Sequence, residues 1–351
     1  MMQAETISPP ATMRVWRYSS TDGGLENNIK LHLDAPLPKA TKDGHLIQVL
    51  AVSLNPVDYK PTEAFIGRFV VKKPATPGFD IAGRIFTPAT NSRDFKAGDL
   101  VFGAASTNPL AGGAIAEYIV APASRIVHLP SGISPIEAAG IPVAAVTAHD
   151  ALIPYITSGS RVFINGGSGG VGTFAIQLAK LLGAHVTVSC STRNVALCRS
   201  LGADNVLDYT TGPLLAQLKA AEKPFDHVVD NVFSDPELYF QMHKYTTPKA
   251  VFAEVASGPT LSFAKFAAGA LLVPKVLGGG RRKFVVIAAD LKAETLKELA
   301  QWVAEQKVKV VVDQVFGMEE VVAAYQKQKT GRVVGKLVVD VAGEAGRPTK
   351  Q

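Results

Sequence analysis

Up to about residue 135 the apolar positions come in short runs: Met13 to Trp16, Leu46 to Leu54, Gly83 to Phe86, Leu100 to Phe102 and Ile115 to Val120. Gly, Pro and Asn or Asp part them, which predicts the strands of a compact, mostly antiparallel β domain. The period then changes. Ser134 to Leu152 is alanine-rich at helical spacing, and Ser134 followed by Pro135 is an N-capped start. Beyond it strands and helices alternate: Val162 to Ile164, His185 to Ser189, a helix from Asn194 to Leu201 ending at Gly202, then Asn205 to Leu207, Phe225 to Asp230 and Ala250 to Val255. Alternation of this kind predicts a parallel sheet covered by helices. Gly278 to Gly280 and the basic Arg281-Arg282-Lys283 mark a boundary. A helix over Ala293 to Glu305, a strand over Val308 to Val312, a helix over Met318 to Lys327 and a strand over Gly335 to Asp340 follow, and are expected to rejoin the first domain. The predicted division is a flexible extension (1–12), a β domain (13–135), a domain of alternating strands and helices (136–280) and a C-terminal segment (281–351).

One junction of strand and helix carries chemistry. After Val162-Phe163-Ile164 the chain reads Asn165-Gly-Gly-Ser-Gly-Gly-Val-Gly172, and Val171, Ala175, Ile176, Leu178 and Ala179 then recur at helical spacing. Gly167, Gly169 and Gly172 fit G-x-G-x-x-G between a strand and a helix, a dinucleotide fingerprint. The first glycine is expected to permit the tight turn, the second to let a pyrophosphate reach the backbone, and the third to let helix and strand pack closely. The free N–H groups of the helix start suit phosphate, so Gly167, Ser168, Gly169, Gly170, Val171 and Gly172 are candidate cofactor contacts.

Composition narrows the partners. A chain of 351 residues has room for two domains, and 47% hydrophobic against 19% charged residues describes a globular protein with a large core. The net charge of +6 is dispersed, with no basic run interleaved with aromatics, so no nucleic-acid partner is expected, whereas a phosphorylated cofactor suits it. Cys190 and Cys198 offer neither a disulfide framework nor metal-ligand spacing, which fits a reducing compartment. The most apolar stretch, Phe263 to Gly280, is broken by Lys265, Pro274 and Lys275; it predicts a buried or interface helix and a loop, with no membrane partner. The first dozen residues have no targeting pattern, and the cytoplasm is the expected location.

Sites that prefer the unphosphorylated cofactor carry Asp or Glu about 20 residues past the glycine loop, for the adenosine ribose. Here that place reads Val188-Ser-Cys-Ser-Thr-Arg-Asn194, without an acid. Ser191 and Thr192 can donate to a 2′-phosphate and Arg193 can neutralise it; the competing account is a solvated turn that caps the next helix. NADPH is the expected cofactor.

Further segments join these: Ser53-Leu-Asn-Pro-Val-Asp-Tyr-Lys60, Pro77-Gly-Phe-Asp-Ile-Ala-Gly83, Phe95-Lys-Ala-Gly-Asp-Leu-Val-Phe-Gly103, Gly112-Gly-Ala-Ile-Ala-Glu-Tyr118, Ala138 to Ala148, Leu201-Gly-Ala-Asp204 with Asp208-Tyr209, and Gly331-Arg-Val-Val-Gly-Lys336. Together they resemble zinc-independent members of the medium-chain dehydrogenase/reductase superfamily, on the quinone oxidoreductase, alkenal/enone reductase and enoyl reductase side. The resemblance runs from Met13 to about Val341. It implies an α/β protein, a doubly wound Rossmann parallel sheet plus a GroES-like, mostly antiparallel β domain closed by the C-terminal segment, with the active site in the cleft. It also implies hydride transfer from a nicotinamide to an activated C=C bond or a quinone. By motif match, Asn55 and Lys60 would face the cleft, Thr147 the nicotinamide end, Tyr209 the adenosine phosphate, and Phe284 to Val286 the nicotinamide or substrate pocket. A homodimer is usual in that family.

Zinc dehydrogenases of the superfamily need a catalytic thiolate in the first domain and a Gly-His-Glu segment. The first domain here has no cysteine, and Gly78-Phe79-Asp80 stands where Gly-His-Glu would be. The three or four N, S or O ligands zinc requires cannot be gathered, so no metal is expected and conjugated acceptors remain, since a developing enolate can be held by hydrogen bonds. Tyr59 and Lys60 are candidate catalytic groups for that charge or for the α-carbon proton. Against this, Lys60 can be a solvated cation and Tyr59 a packing residue. Asn55 can serve a substrate or simply open a turn, and Thr147 can bond back to its own helix. The expected function is an NADPH-dependent, metal-free reductase of α,β-unsaturated carbonyls or quinones, acting on a hydrophobic small molecule. The alternatives are a trans-acting enoyl reductase tailoring polyketide-type metabolites, and a non-catalytic NADPH-binding protein.

Overall fold

The computed structural model describes residues 10–65, 67–106, 108, 112–255, 258, 260–274 and 278–343. The β domain is built from β1 (Thr12–Arg17), β2 (Lys30–Pro36), β3 (Gly44–Leu54), β4 (Asp80–Thr87), β5 (Leu100–Ala104), β6 (Tyr118–Pro122) and β7 (Ile126–His128), with the short helices α1 (Lys60–Glu63) and α2 (Gly67–Val70) between β3 and β4. Nearly every residue of β3 is buried because the strand is central: it pairs antiparallel with β4 over Leu46–Ser53 and with β6 over Gly44–Gln48. Two helices, α3 (Pro135–Ala139) and α4 (Pro142–Leu152), lead out of the domain.

The nucleotide unit runs through β8 (Arg161–Asn165), α5 (Gly170–Leu181), β9 (His185–Cys190), α6 (Val195–Ser200), β10 (Asn205–Asp208), α7 (Leu214–Lys219), β11 (Phe225–Asp230), α8 (Glu237–Phe240), β12 (Thr246–Glu254), α9 (Leu261–Leu272) and β13 (Lys283–Val286). Its six strands are all parallel, in the order β10-β9-β8-β11-β12-β13. The order reverses between β8 and β11, and ligands of open α/β sheets bind at such a switch point, beyond the carboxyl ends of the strands. The chain ends with α10 (Ala293–Ala304), β14 (Val312–Gly317), α11 (Val321–Lys329) and β15 (Lys336–Asp340). β15 pairs antiparallel with Ala51–Leu54 of β3 and parallel with β14, so the C-terminus completes the first domain's sheet. The fold is a GroES-like β domain joined to a Rossmann-type parallel sheet.

One core spans both units. Ala51, Phe79 and Phe102 of the β domain share a buried cluster with Val162, Ile164 and Phe174 of the nucleotide unit, with α4 between them. Ala144, Ala145, Ala148 and Ala151 are buried on α4, and their small side chains let it lie close to both sheets. This is what the alanine-rich stretch is for.

Four expectations need correction. The single helix over Ser134 to Leu152 is two: Ser134 caps α3 in a reciprocal capping box with Glu137, but Pro142 starts a new helix after the Gly140–Ile141 break. The boundary at residue 280 lies too early, because β13 adds a sixth strand to the parallel sheet and Leu296 and Leu299 of α10 join the shared core. The strand expected at Val308 to Val312 begins at Val312; Val308 and Lys307 both donate their backbone N–H to the carbonyl of Trp302, closing the end of α10 instead of a ladder. The apolar stretch from Phe263 forms a helix as expected, and of its two alternatives, buried or interface, the first does not hold along α9: only Phe266 is buried, while Leu261, Leu271 and Leu272 are exposed. Of the predicted extension, residues 1–9 lie outside the described residues, and Thr12 already belongs to β1. Among the described residues no helix is long and apolar enough to cross a membrane.

Candidate active site

The glycine loop leaves β8 at the switch point. The turn itself is made by Gly166, whose φ of +79° favours glycine, and not by Gly167 as the fingerprint suggested. Gly167 is needed for packing, since a Cβ there would lie 2.8 Å from the Cβ of Val188. Gly172 is tighter still: its Cβ would sit 2.1 Å from the carbonyl oxygen of Gly166. Gly169 is different, with nothing nearer than 3.6 Å, and it caps α5 in an extended conformation without any side-chain hydrogen bond. The fold therefore demands Gly167 and Gly172, while a side chain at Gly169 would meet only ordinary contact, at an uncapped helix start whose N–H groups suit phosphate.

Buried polar groups hold this loop. Asn165 donates to Asp230 at 2.8 Å across the switch point, and Ser189 donates to Asn165 at 2.5 Å while accepting from the N–H of Gly166 at 2.9 Å. Ser168 accepts the N–H of Gly335 through its carbonyl and the Nδ2 of Asn194 through its hydroxyl, both at 2.9 Å. Gly170 lies against Gly335 and the stem of Lys336, and Val171 is half-buried beside the shared core. The C-terminal Gly-Arg-Val-Val-Gly-Lys segment thus clasps the loop.

At the ends of β9 and β10 the candidates for the adenosine phosphate come together. Ser191 follows β9, Tyr209 follows β10 and is about half exposed, and Arg193 is exposed with one guanidinium N–H donated to the carbonyl of Arg332 at 3.0 Å. The Thr192 hydroxyl donates to Asp208 at 2.5 Å and lies 2.8 Å from the hydroxyl of Thr210.

On the opposite side, Lys60 reaches toward the carboxyl ends of the parallel strands. Its stem packs by Gly258, and its pKa is lowered by burial, opposed by the charge of Glu254, which is fully buried at the end of β12. Neither Tyr59 nor Asn55 joins it. Tyr59 packs beside the β-domain core with the ammonium of Lys329 5.1 Å over its ring, and burial pushes its phenol up to about 12. Asn55 is buried and fully engaged: Nδ2 donates to Asp80 at 2.8 Å and Oδ1 accepts from Lys336. Both side chains are engaged in the packing around the Lys60 turn.

Asn55 is the centre of a buried network the sequence does not announce. Asp80 also accepts the N–H of Val143 at 3.1 Å, at the start of α4, and lies 3.9 Å from the ammonium of Lys336. Lys336 donates to the carbonyl of Leu54 at 3.1 Å, and Asp58 accepts the N–H of Asn55 at 2.8 Å. Burial raises Asp58 to about 8 and Asp80 to about 6, with Lys336 pulling both back down. Thr147, one turn along α4, donates to the carbonyl of Val143 at 2.6 Å, the back-bond of an ordinary buried threonine. Phe284 is half-buried and packs edge-on to Tyr239 and to Phe266 of α9, and Val286 is exposed at the end of β13.

The place of the zinc segment is filled by other chemistry. Phe79 is buried in the core, and Asp80 is already satisfied by Asn55, Val143 and Lys336. Among the described residues no group of three His, Cys, Asp or Glu is placed to hold a metal. These residues do not fit a catalytic zinc, although the family descriptions carry that word. "Alcohol dehydrogenase GroES-like domain" matches residues 41–131 and "Zinc-binding dehydrogenase" matches residues 201–339. The trans-enoyl reductase pgmF of Aspergillus terreus is 42% identical over 349 residues, covering 95% of this chain and 97% of its own.

The chain belongs to the medium-chain dehydrogenase/reductase superfamily.

It is an oxidoreductase, and its fold is one that binds a nicotinamide cofactor. The chloroplastic quinone-oxidoreductase QR1 of Triphysaria versicolor is 33% identical over 93% of this chain and 98% of its own. Among solved structures, the quinone oxidoreductase from Coxiella burnetii superposes with a TM-score of 0.83 at 29% identity, over 94% of this chain and 99% of that one. Two features of this superfamily member lay beyond sequence reasoning. Glu254 is an ordinary strand-end acid until the fold sets it beside Lys60, and Lys336, although inside a quoted motif, gave no sign that its ammonium would be buried.

Proposed function

We propose that this oxidoreductase uses NADPH to reduce C=C bonds conjugated to a carbonyl. The carrying observation is Lys60, a cation of lowered pKa set by the carboxyl ends of the parallel strands, at a site whose residues do not fit zinc. A nicotinamide cofactor, when bound at the glycine loop, would supply a hydride for the β-carbon. Lys60 donates a hydrogen bond to the carbonyl oxygen, where the enolate charge develops, and the α-carbon takes its proton from water or from that ammonium. Ser191, Arg193 and Tyr209 favour the 2′-phosphate. A quinone satisfies the same chemistry with its own carbonyl oxygen as the developing anion.

The relative at 42% identity supports a second reading, an enoyl thioester acceptor in trans to a synthase. NADPH oxidation over a panel of enones, quinones and enoyl thioesters separates the readings; NADPH binding without turnover of any acceptor would sink both. Arg193→Glu should weaken NADPH at least about tenfold while leaving NADH nearly unchanged, since it removes a charge-assisted contact to phosphate alone. Equal losses would place the phosphate elsewhere. Lys60→Met should lower kcat/KM by about a hundredfold, as the loss of one oxyanion donor does. Because the pKa of Lys60 is lowered, activity should fall on the alkaline side below the ordinary lysine range. A pH profile in which Lys60→Met keeps that limb would clear Lys60 of the role.

A further inference from the structure

The segment after Lys60 places two aromatic rings in water. Phe65 and Phe69 are 77% and 76% exposed, and Val70 is 60% exposed. Their placement is built. Gly67 lies flat on the Pro61 carbonyl, where a Cβ would come within 1.7 Å of the oxygen, so the chain folds back and sets the two rings edge to face, 5.4 Å apart. Covering an apolar side chain of this size is worth about 1.5–3 kcal/mol, and contiguous exposed apolar patches mark binding surfaces.

The site itself points to what covers them. The pair lies five and nine residues past Lys60, whose stem packs by Gly258. Gly258 leads into α9, whose first residue, Leu261, is 72% exposed. Exposed apolar side chains therefore stand on both of the chain segments that meet where Lys60 packs by Gly258. Behind Leu261, Phe233 packs 5.4 Å from Phe263 and 5.1 Å from Phe266, in a backbone conformation (φ +52°) that non-glycine residues seldom adopt. These rings support the first turns of α9.

We infer that Phe65 and Phe69, with Leu261, form a subsite for an elongated apolar tail of the substrate and set its chain-length preference. This rests on the reductase reading of the cleft. The carbonyl end would lie at Lys60 and the tail would run outward along these exposed side chains.

The test reads binding, apart from turnover. Saturated methyl ketones from butanone to dodecanone are titrated calorimetrically into the NADPH-loaded protein. In the wild type Kd should fall about threefold for each methylene that enters the subsite. The Phe65→Ser/Phe69→Ser double variant should flatten the series, and Leu261→Ser should reduce its slope. A flat wild-type series, or equal slopes in wild type and double variant, would overturn the inference. So would a flat series together with pelleting on phosphatidylserine vesicles that the double variant loses, which would assign the rings to a lipid surface. Failure of the reductase reading shows separately, as no NADPH oxidation with the matching enones.

Discussion

Gly169→Val should leave the protein folded and remove cofactor binding, whereas Gly172→Ala should damage the fold. The two positions look equivalent in the fingerprint, and the structure separates them. Gly169 has extended backbone angles that any residue adopts (φ −79°, ψ 177°), and its nearest neighbour is 3.6 Å from where a Cβ would be. A valine there costs the protein little and fills the approach to the uncapped start of α5. Losing even one or two charge-assisted hydrogen bonds to a pyrophosphate is worth about 3 kcal/mol, or roughly a hundredfold in Kd. At Gly172 the added methyl would meet the Gly166 carbonyl at 2.1 Å and the Gly167 Cα at 2.8 Å, all backbone. No rotamer relieves that contact, so the turn must move, at a cost of about 1–3 kcal/mol or more. Thermal melts and NADPH fluorescence titrations on both variants decide the matter. Wild-type affinity in Gly169→Val would mean the phosphates lie away from this loop.

The contrast shows what a linear pattern can and cannot carry. The strand, glycine turn and helix were legible because their determinants are consecutive: apolar run, permissive backbone, periodic face. The absence of an acid at the end of β9 was legible for the same reason. What escaped was set by distant chain segments. Phe284 and Val286 alternate on one face of β13, but which of them meets water depends on α9 covering Phe284 with Phe266. Asn55 follows a strand and opens a turn, which suits a substrate contact or a structural one equally; its partners Asp80 and Lys336 lie 25 and 281 residues away. Phe65, between α1 and α2, and Phe69 of α2 resemble core residues in sequence, and only the fold-back at Gly67 leaves both of them exposed.

Lys336→Met should be among the most damaging single changes outside the cofactor loop. The ammonium is buried and serves the carbonyl of Leu54, Oδ1 of Asn55 and the charge of Asp80 together. Methionine matches its length but leaves those acceptors unpaired, and breaking a buried charge pair from one side costs about 3–5 kcal/mol. The loss should depend on pH in a definite direction. Burial already raises Asp80 to about 6, above the ordinary carboxylate value, and Lys336 opposes that rise. Without the lysine the folded-state value climbs further. A raised group contributes stability that is present in acid and lost as pH rises through the folded value, so the deficit against wild type should be small near pH 5 and grow toward about pH 8. Asp80→Asn in the Lys336→Met background should recover part of it, because the uncompensated charge is then gone. Urea unfolding of the four proteins at the two pH values measures the cycle. A deficit independent of pH, with no recovery in the double variant, would mean that Lys336 matters for its packing stem and its hydrogen bonds rather than as the counter-charge of Asp80. With the recovery, Lys336 stands as the counter-charge that lets Asp80 bind the start of α4 and the Lys60 turn at once, while its neighbour Gly335 holds the glycine loop through Ser168.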